Sequence, residues 1–261
     1  MAASPTRIQI GELLRQDATG AWHAATLGDT PHTLRILRAD LAESDEARLV
    51  FEQEMRRIER LVHPALVRVH RASRKPPRPW LLTDPINGSR LTDVLETEGP
   101  LPMDAARDLA ARLHDALRYL DERKQVHAAP WPDQWVRVGD DWKLPTFRAV
   151  RARDGLKNLK RRKDPHAEWT PPEHAKEHEA RLAAEPWIAW AVGTLLRTAG
   201  GGVEALAPAV ARLCDPDPAR RPAGRRAVEA ALGGGDGPAP SNAPAIKAPV
   251  PRRKRKPRDQ G

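Results

Sequence analysis

Leu49-Val50-Phe51-Glu52-Gln53-Glu54-Met55-Arg56-Arg57-Ile58-Glu59-Arg60-Leu61-Val62-His63-Pro64-Ala65-Leu66-Val67 changes its period part-way along. Leu49, Phe51, Met55, Ile58 and Leu61 recur at helical spacing, Ser44 upstream is suited to cap the first turn, and His63-Pro64 stops the run. One amphipathic helix is therefore expected over Ser44 to Val62. What precedes it is different in kind. From Ile8 to Leu37 short apolar runs are broken by Gly11, Gly20, Gly28 and Pro31, which predicts strands at Ile8 to Leu14, Ala21 to Leu27 and His32 to Arg38. Two more strands follow the helix, Ala65 to Arg71 and Trp80 to Asp84, with a Pro-rich hairpin from Arg74 to Pro79 between them. The first third thus reads β-β-β-α-β-β.

Beyond the Gly88 turn the pattern becomes helical. A short helix is expected from Leu91 to Glu96, and a strong one from Met103 to Arg123 with Leu109, Leu113, Ala116, Leu117 and Leu120 on one face. Val126 to Leu144 reads as two short strands around a Gly139-Asp140-Asp141 turn, and a polar, basic segment runs from Arg148 to Ala167. Helices are expected again at Pro172 to Ala183, Trp187 to Thr198, Val203 to Leu213 and Gly224 to Leu232.

No apolar stretch approaches the roughly 20 residues that span a bilayer, and the first residues lack the apolar core of a signal peptide, so a soluble, cytoplasmic chain is expected. The single cysteine, Cys214, excludes an internal disulfide and falls in an apolar helical pattern as a small core residue. The formal charge of +9 is unevenly spread: from Gly233 onward seven Lys/Arg face two acids, so that tail carries five of the nine charges. Its Gly/Pro/Ala/Ser composition cannot bury enough apolar surface to order itself, which predicts a disordered basic tail over residues 233–261.

The order of elements resembles the protein-kinase fold, bacterial Ser/Thr kinases in particular, over residues 7–232. Phe51-Glu52-Gln53-Glu54 and the following Leu61 to Val67 resemble the αC glutamate region and the His-Pro-Asn-Ile-Val signature. Trp80-Leu81-Leu82-Thr83-Asp84-Pro85-Ile86-Asn87-Gly88 resembles the hinge strand and its glycine. Trp169-Thr170-Pro171-Pro172-Glu173 resembles the Ala-Pro-Glu end of the activation segment, and Asp217-Pro218-Ala219-Arg220-Arg221-Pro222 the late Asp-Pro-x-x-Arg-Pro box. The resemblance implies an α+β, bilobed fold, with a small β-rich N-lobe over residues 7–86 and a helical C-lobe over residues 87–232.

Phosphoryl transfer needs phosphate positioning, metal ligands and a base. Each family position for these is altered. Ile10 to Gly20 lacks the close-set glycines of the phosphate loop, and Thr33-Leu34-Arg35 puts Arg35 where the family has its lysine. Arg35 keeps the charge and is able to pair with Glu54, but a planar fork does not reproduce a compact ammonium. The resemblance implies that these two are the vestige of a nucleotide pocket. The catalytic loop reads His127-Ala128-Ala129-Pro130-Trp131-Pro132-Asp133-Gln134, so Ala129 stands at the base and Gln134 at the metal-binding asparagine. Asp-Phe-Gly becomes Thr146-Phe147-Arg148, and neutral Thr146 offers a hard cation no carboxylate. Asp133, Asp140 and Asp141 are the acids nearest to hand for a rescue, and their plainer role is a loop acid and a β-turn pair. No catalytic residue and no metal ligand is assigned.

What survives is structural. Glu173 and Arg221 match the family's buried ion pair, Ile188 stands where the family has an aspartate at the start of the central helix, and Trp135, Trp142, Trp169, Trp187 and Trp190 suit core positions. The leading expectation is a pseudokinase: an inactive signalling adaptor that binds a protein, a kinase or an acidic or phosphorylated partner, with the basic run from Arg151 to Lys163 as one receiving surface. No cofactor is expected, the alternative being ATP bound without metal. Two other classes stay open: weak, non-specific binding of nucleic acid or an anionic surface by Arg252 to Arg258, and a weakly active Ser/Thr kinase.

Overall fold

The computed structural model describes residues 7–75, 77–127, 130–147, 149–152, 171–173 and 185–233. An antiparallel sheet forms the N-lobe, from β1 (Ile8–Asp17), β2 (Gly20–Leu27), β3 (Thr30–Leu37), β4 (Val69–Ser73) and β5 (Trp80–Thr83), in the order β1-β2-β3-β5-β4. A short α1 (Ala39–Ala42), absent from the sequence reading, precedes α2 (Asp45–Ile58). Ser44 caps α2 as its sequence predicts, its hydroxyl accepting from the Ala47 amide at 3.3 Å. Phe51, Met55 and Ile58 turn inward from α2 and are buried, while Leu49 and Val50 stay exposed.

The strand expected at Ala65 begins four residues later, at Val69. Residues 65–67 instead pair across the lobes: Val67 donates its amide to the Leu144 carbonyl at 2.8 Å, and Leu144 donates to the carbonyl of Ala65 at 2.9 Å. These backbone groups find their partners in the C-lobe, so they are not available to the sheet.

Among the described residues the C-lobe comprises α3 (Leu91–Thr97), α4 (Met103–Glu122), α5 (Glu185–Ala199), α6 (Ala207–Leu213) and α7 (Arg225–Leu232); the helix expected over Pro172 to Ala183 lies outside them beyond residue 173. Four short strands, β6 (Gln125–His127), β7 (Val136–Val138), β8 (Asp141–Lys143) and β9 (Val150–Ala152), pair as β6 with β9 and β7 with β8. The last of the expected helices but one starts as a 3-10 turn at Glu204–Leu206 before α6, with Pro208 in its first turn. α5 is buried almost all round, from Trp187 through Leu196, as suits the central helix of a lobe. One apolar core runs from Leu37, Phe51 and Leu81 in the N-lobe into α4, α5 and Trp135. A smaller cluster of Ala25, Leu34 and Leu82 covers the other face of the sheet. Cys214 is buried, its thiol pushed up by burial.

Arg221 and Glu173 form the ion pair the sequence announced. The guanidinium donates to both carboxylate oxygens, at 2.6 and 2.8 Å, and also to the carbonyls of Asp215 and Pro186. It lies over Trp190 with no exposed surface of its own. Such full satisfaction is what makes a buried pair tolerable. Trp135 and Trp187 are buried and Trp142 and Trp190 pack partly against the core; Trp169 lies outside the described residues.

Candidate functional site

The two lobes meet at a cleft of about 380 Å³. Its upper wall is Leu14, Arg15 and Trp22 from β1 and β2. The lower wall is Ile86 to Gly88 with Arg90, Gln134 and Val136, and Pro145 and Phe147 close the back. Gly88 is there because of a close approach: a Cβ on it would stand 1.9 Å from the Arg137 carbonyl oxygen, inside any contact distance.

Arg35, on β3, is wholly buried and its charge is met from within the chain. Nη1 donates to Asp17 Oδ2 at 3.1 Å and Nη2 to Asp17 Oδ1 at 3.0 Å, and the guanidinium also donates to the Thr19 hydroxyl. Asp17 ends β1 at a two-residue hairpin turn, Ala18-Thr19. Its Oδ1 accepts from the amides of Thr19 and Gly20 at 2.8 and 3.1 Å and from the Thr19 hydroxyl at 2.8 Å. Burial raises the Asp17 carboxyl, but the Arg35 guanidinium and the Thr19 donors outweigh it and hold the group well below the usual carboxylate range. The guanidinium is also clasped between rings, 4.4 Å from the centre of Trp22 and 4.5 Å from that of Phe147. Phe147 packs in turn on Phe51 at 5.4 Å and edge-on to Trp22 at 5.9 Å. Glu54 lies part-buried on α2.

Thr146 is buried and its hydroxyl donates to the Val67 carbonyl at 3.2 Å, so it is turned to the backbone of the N-lobe. Gln134 ends a 3-10 turn, Pro132–Gln134, on the cleft floor, its amide donating to Asp133 Oδ2 at 3.0 Å. His127 is buried on β6, donating Nε2–H to the Pro145 carbonyl at 3.0 Å, and burial pushes its pKa down to about 4. It is a neutral prop beneath the cleft. Ala129, with Ala128 and Arg148, lies outside the described residues. Asp141 pairs with Arg112 at 2.8 Å, away from the cleft. At the hinge Asp84 gathers Lys143 and His70, each at 2.7 Å, with the Arg68 amide at 3.0 Å. Lys143, His70 and that amide together overcome the effect of burial and hold its carboxyl low. Among the described residues no cluster of His, Cys, Asp or Glu is placed to hold a metal ion.

Four residues of this site escaped the sequence reading: Arg15, Asp17, Trp22 and Arg90. A signal for three of them was present. Counted back from Gly20 on the spacing G-x-G-x-x-G-x-V, Arg15 and Asp17 take the first two glycine positions and Trp22 takes the valine. At that spacing the chain carries a cation and a carboxylate where the pattern has its first two glycines.

No family profile matches the sequence. Among solved structures, the crystal structure of the PknI kinase domain of Mycobacterium tuberculosis, in a form carrying one cysteine-to-alanine mutation, superposes with a TM-score of 0.56 over 90% of this chain and 99% of that one, at 18% identity. The fold is that of a protein kinase domain. Curated relatives agree over a shorter stretch. The serine/threonine-protein kinases PknB of Mycobacterium leprae and Mycobacterium tuberculosis are 29% and 30% identical over 98 residues, which is 36% of this chain and 16% of each relative. The kinase-like domain therefore aligns with only a small part of those proteins. No described helix is long and apolar enough to cross a membrane.

Proposed function

We propose that this kinase-like domain is non-catalytic and acts by binding another protein. The observation that carries the reading is the Asp17–Arg35 pair. Phosphoryl transfer requires a cation at the β3 position to hold phosphate and a loop whose backbone amides approach it. Here the cation and the amides of Thr19 and Gly20 are both engaged by a carboxylate of the chain itself. A magnesium triphosphate does not fit these residues: its phosphates would have to displace Asp17, and Thr146 turns a hydroxyl to Val67 where a carboxylate would be needed for the metal. Ala129 at the base position adds a side chain with no proton acceptor.

A domain whose lobes are joined by one core, and whose cleft is braced from inside, keeps a fixed surface without nucleotide. That suits recognition. The partner fitting the charge is an acidic or phosphorylated protein, met by the basic run from Arg151 to Lys163, of which only residues 151–152 are described.

The test is incubation of the full chain with ATP and magnesium or manganese, alone and with a basic acceptor protein, reading phosphate incorporation by intact-mass spectrometry. No incorporation and no magnesium–ATP-dependent rise in melting temperature are expected. Stoichiometric transfer in either setting would overturn the reading.

A further inference from the structure

With Arg35 neutralised by Asp17, the cleft still holds two cations with no such answer. Arg15 and Arg90 both line the 380 Å³ cavity. Neither forms an ion pair with a carboxylate among the described residues: Arg15 lies over the Trp22 ring at 4.9 Å, and Arg90 donates to the backbone carbonyl of Asp133. Between them the floor offers the Gln134 amide, and Ile86 and Val136 give the cavity an apolar flank. The volume lies within the range of small-molecule sites, which pair apolar walls with a few convergent polar groups. Two guanidinium groups lining one cavity from opposite lobes suit a planar or tetrahedral oxyanion.

We propose that the cleft binds a small metal-free oxyanion, a phosphate or carboxylate carried on a compact apolar body, with the anion held between Arg15 on the N-lobe and Arg90 on the C-lobe. The site differs from a triphosphate site in that Arg35 takes no part. Its ligand would touch both lobes across the cleft and leave the core that joins them unchanged. Burial, with the nearby charges of Arg90 and Arg35, pushes the Arg15 guanidinium down against the pull of Asp17.

The proposal rests on the reading above in one respect, that Asp17 stays on Arg35. The test uses the full chain in EDTA, titrated by calorimetry with phenyl phosphate and benzoate, and with inorganic phosphate as the probe lacking a body. One of the two aromatic probes is expected to bind with a Kd below about 1 mM and more tightly than inorganic phosphate. Phenyl phosphate against benzoate separates the two anion chemistries. Arg15→Gln and Arg90→Gln should each weaken that binding at least about 10-fold, while Arg35→Gln changes it by less than about 3-fold. Should Arg90→Gln fail to fold through loss of its bond to Asp133, Arg15→Gln still decides. No binding of either aromatic probe at about 5 mM, binding indifferent to Arg15→Gln, or binding that needs magnesium overturns the proposal. Phosphoryl transfer from magnesium–ATP, in contrast, sinks the non-catalytic reading and leaves EDTA-resistant binding to be judged by itself.

Discussion

Replacing Asp17 by Asn tests whether the internal carboxylate braces the N-lobe. The Arg35 side chain has no exposed surface and the Asp17 side chain is 33% exposed. Removing one partner of a fully buried pair costs about 3–5 kcal/mol, because the other charge is stranded. Water reaches Asp17, so screening reduces this, and a loss of about 2 kcal/mol is expected. For a domain of this size that is a fall of about 4–8 °C in melting temperature. Arg35→Met takes away the charge while filling the slot between Trp22 and Phe147; it forfeits the cation–π contacts, about 1 kcal/mol. The two changes share one interaction, so in Asp17→Asn/Arg35→Met the asparagine should cost almost nothing further. Urea unfolding of the four proteins closes the cycle, with a coupling energy of about 1.5–2 kcal/mol expected. If Asp17→Asn lies within about 0.5 kcal/mol of the parent, or if the two losses simply add, the carboxylate does not brace Arg35 and Arg35 is available to meet a phosphate.

Arg221→Met should be the harsher change, costing about 3–5 kcal/mol in urea unfolding, since it strands Glu173 and the Asp215 and Pro186 carbonyls together. Gly88→Ala drives a methyl into the Arg137 carbonyl and should cost about 1–3 kcal/mol, seen as a lowered urea midpoint at unchanged slope. Stability should fall on acidification: the folded pKa of His127 is about 4, below the ordinary 6.5, so the unfolded chain takes up a proton that the folded one refuses. The loss begins as pH drops through about 6.5 and is complete near 4, worth about 3 kcal/mol, with His63 and His114 shifted in the same direction by burial. Urea midpoints between pH 7 and 5 measure the slope, and His127→Gln should flatten it. Thr146→Asp, which puts a carboxylate where the resemblance implies a metal ligand, should destabilise more than Thr146→Val without bringing phosphoryl transfer, because the site is buried against the Val67 carbonyl; a gain of activity in a transfer assay would show that the side chain reaches the cleft.

The periodicity of Leu49 to Leu61 and the breaks at Gly20, Gly28 and His63-Pro64 were enough to lay out β1 to β3 and α2, because a helix and a meander each repeat their apolar residues at a local period. The surviving Glu173 and Arg221 were legible for a similar reason: both lie in short motifs whose residue types and order are visible along the chain. Arg35, Gln134 and Thr146 could be picked out from the same motifs. What each does could not. That Arg35 turns to Asp17, eighteen residues earlier, depends on the β1–β2 hairpin and on the register pairing Trp22 with Arg35 on the neighbouring strand. That Thr146 faces Val67, and that Ala65 to Val67 leave the sheet for Leu144, depends on the lobes meeting. Arg15 and Arg90 carried no signal of shared purpose, being seventy-five residues apart; only the closing of the cleft brings them to one cavity. Local order is written in spacing, whereas the pairing of charges across it is decided by which backbone and side-chain groups the packed lobes leave for one another.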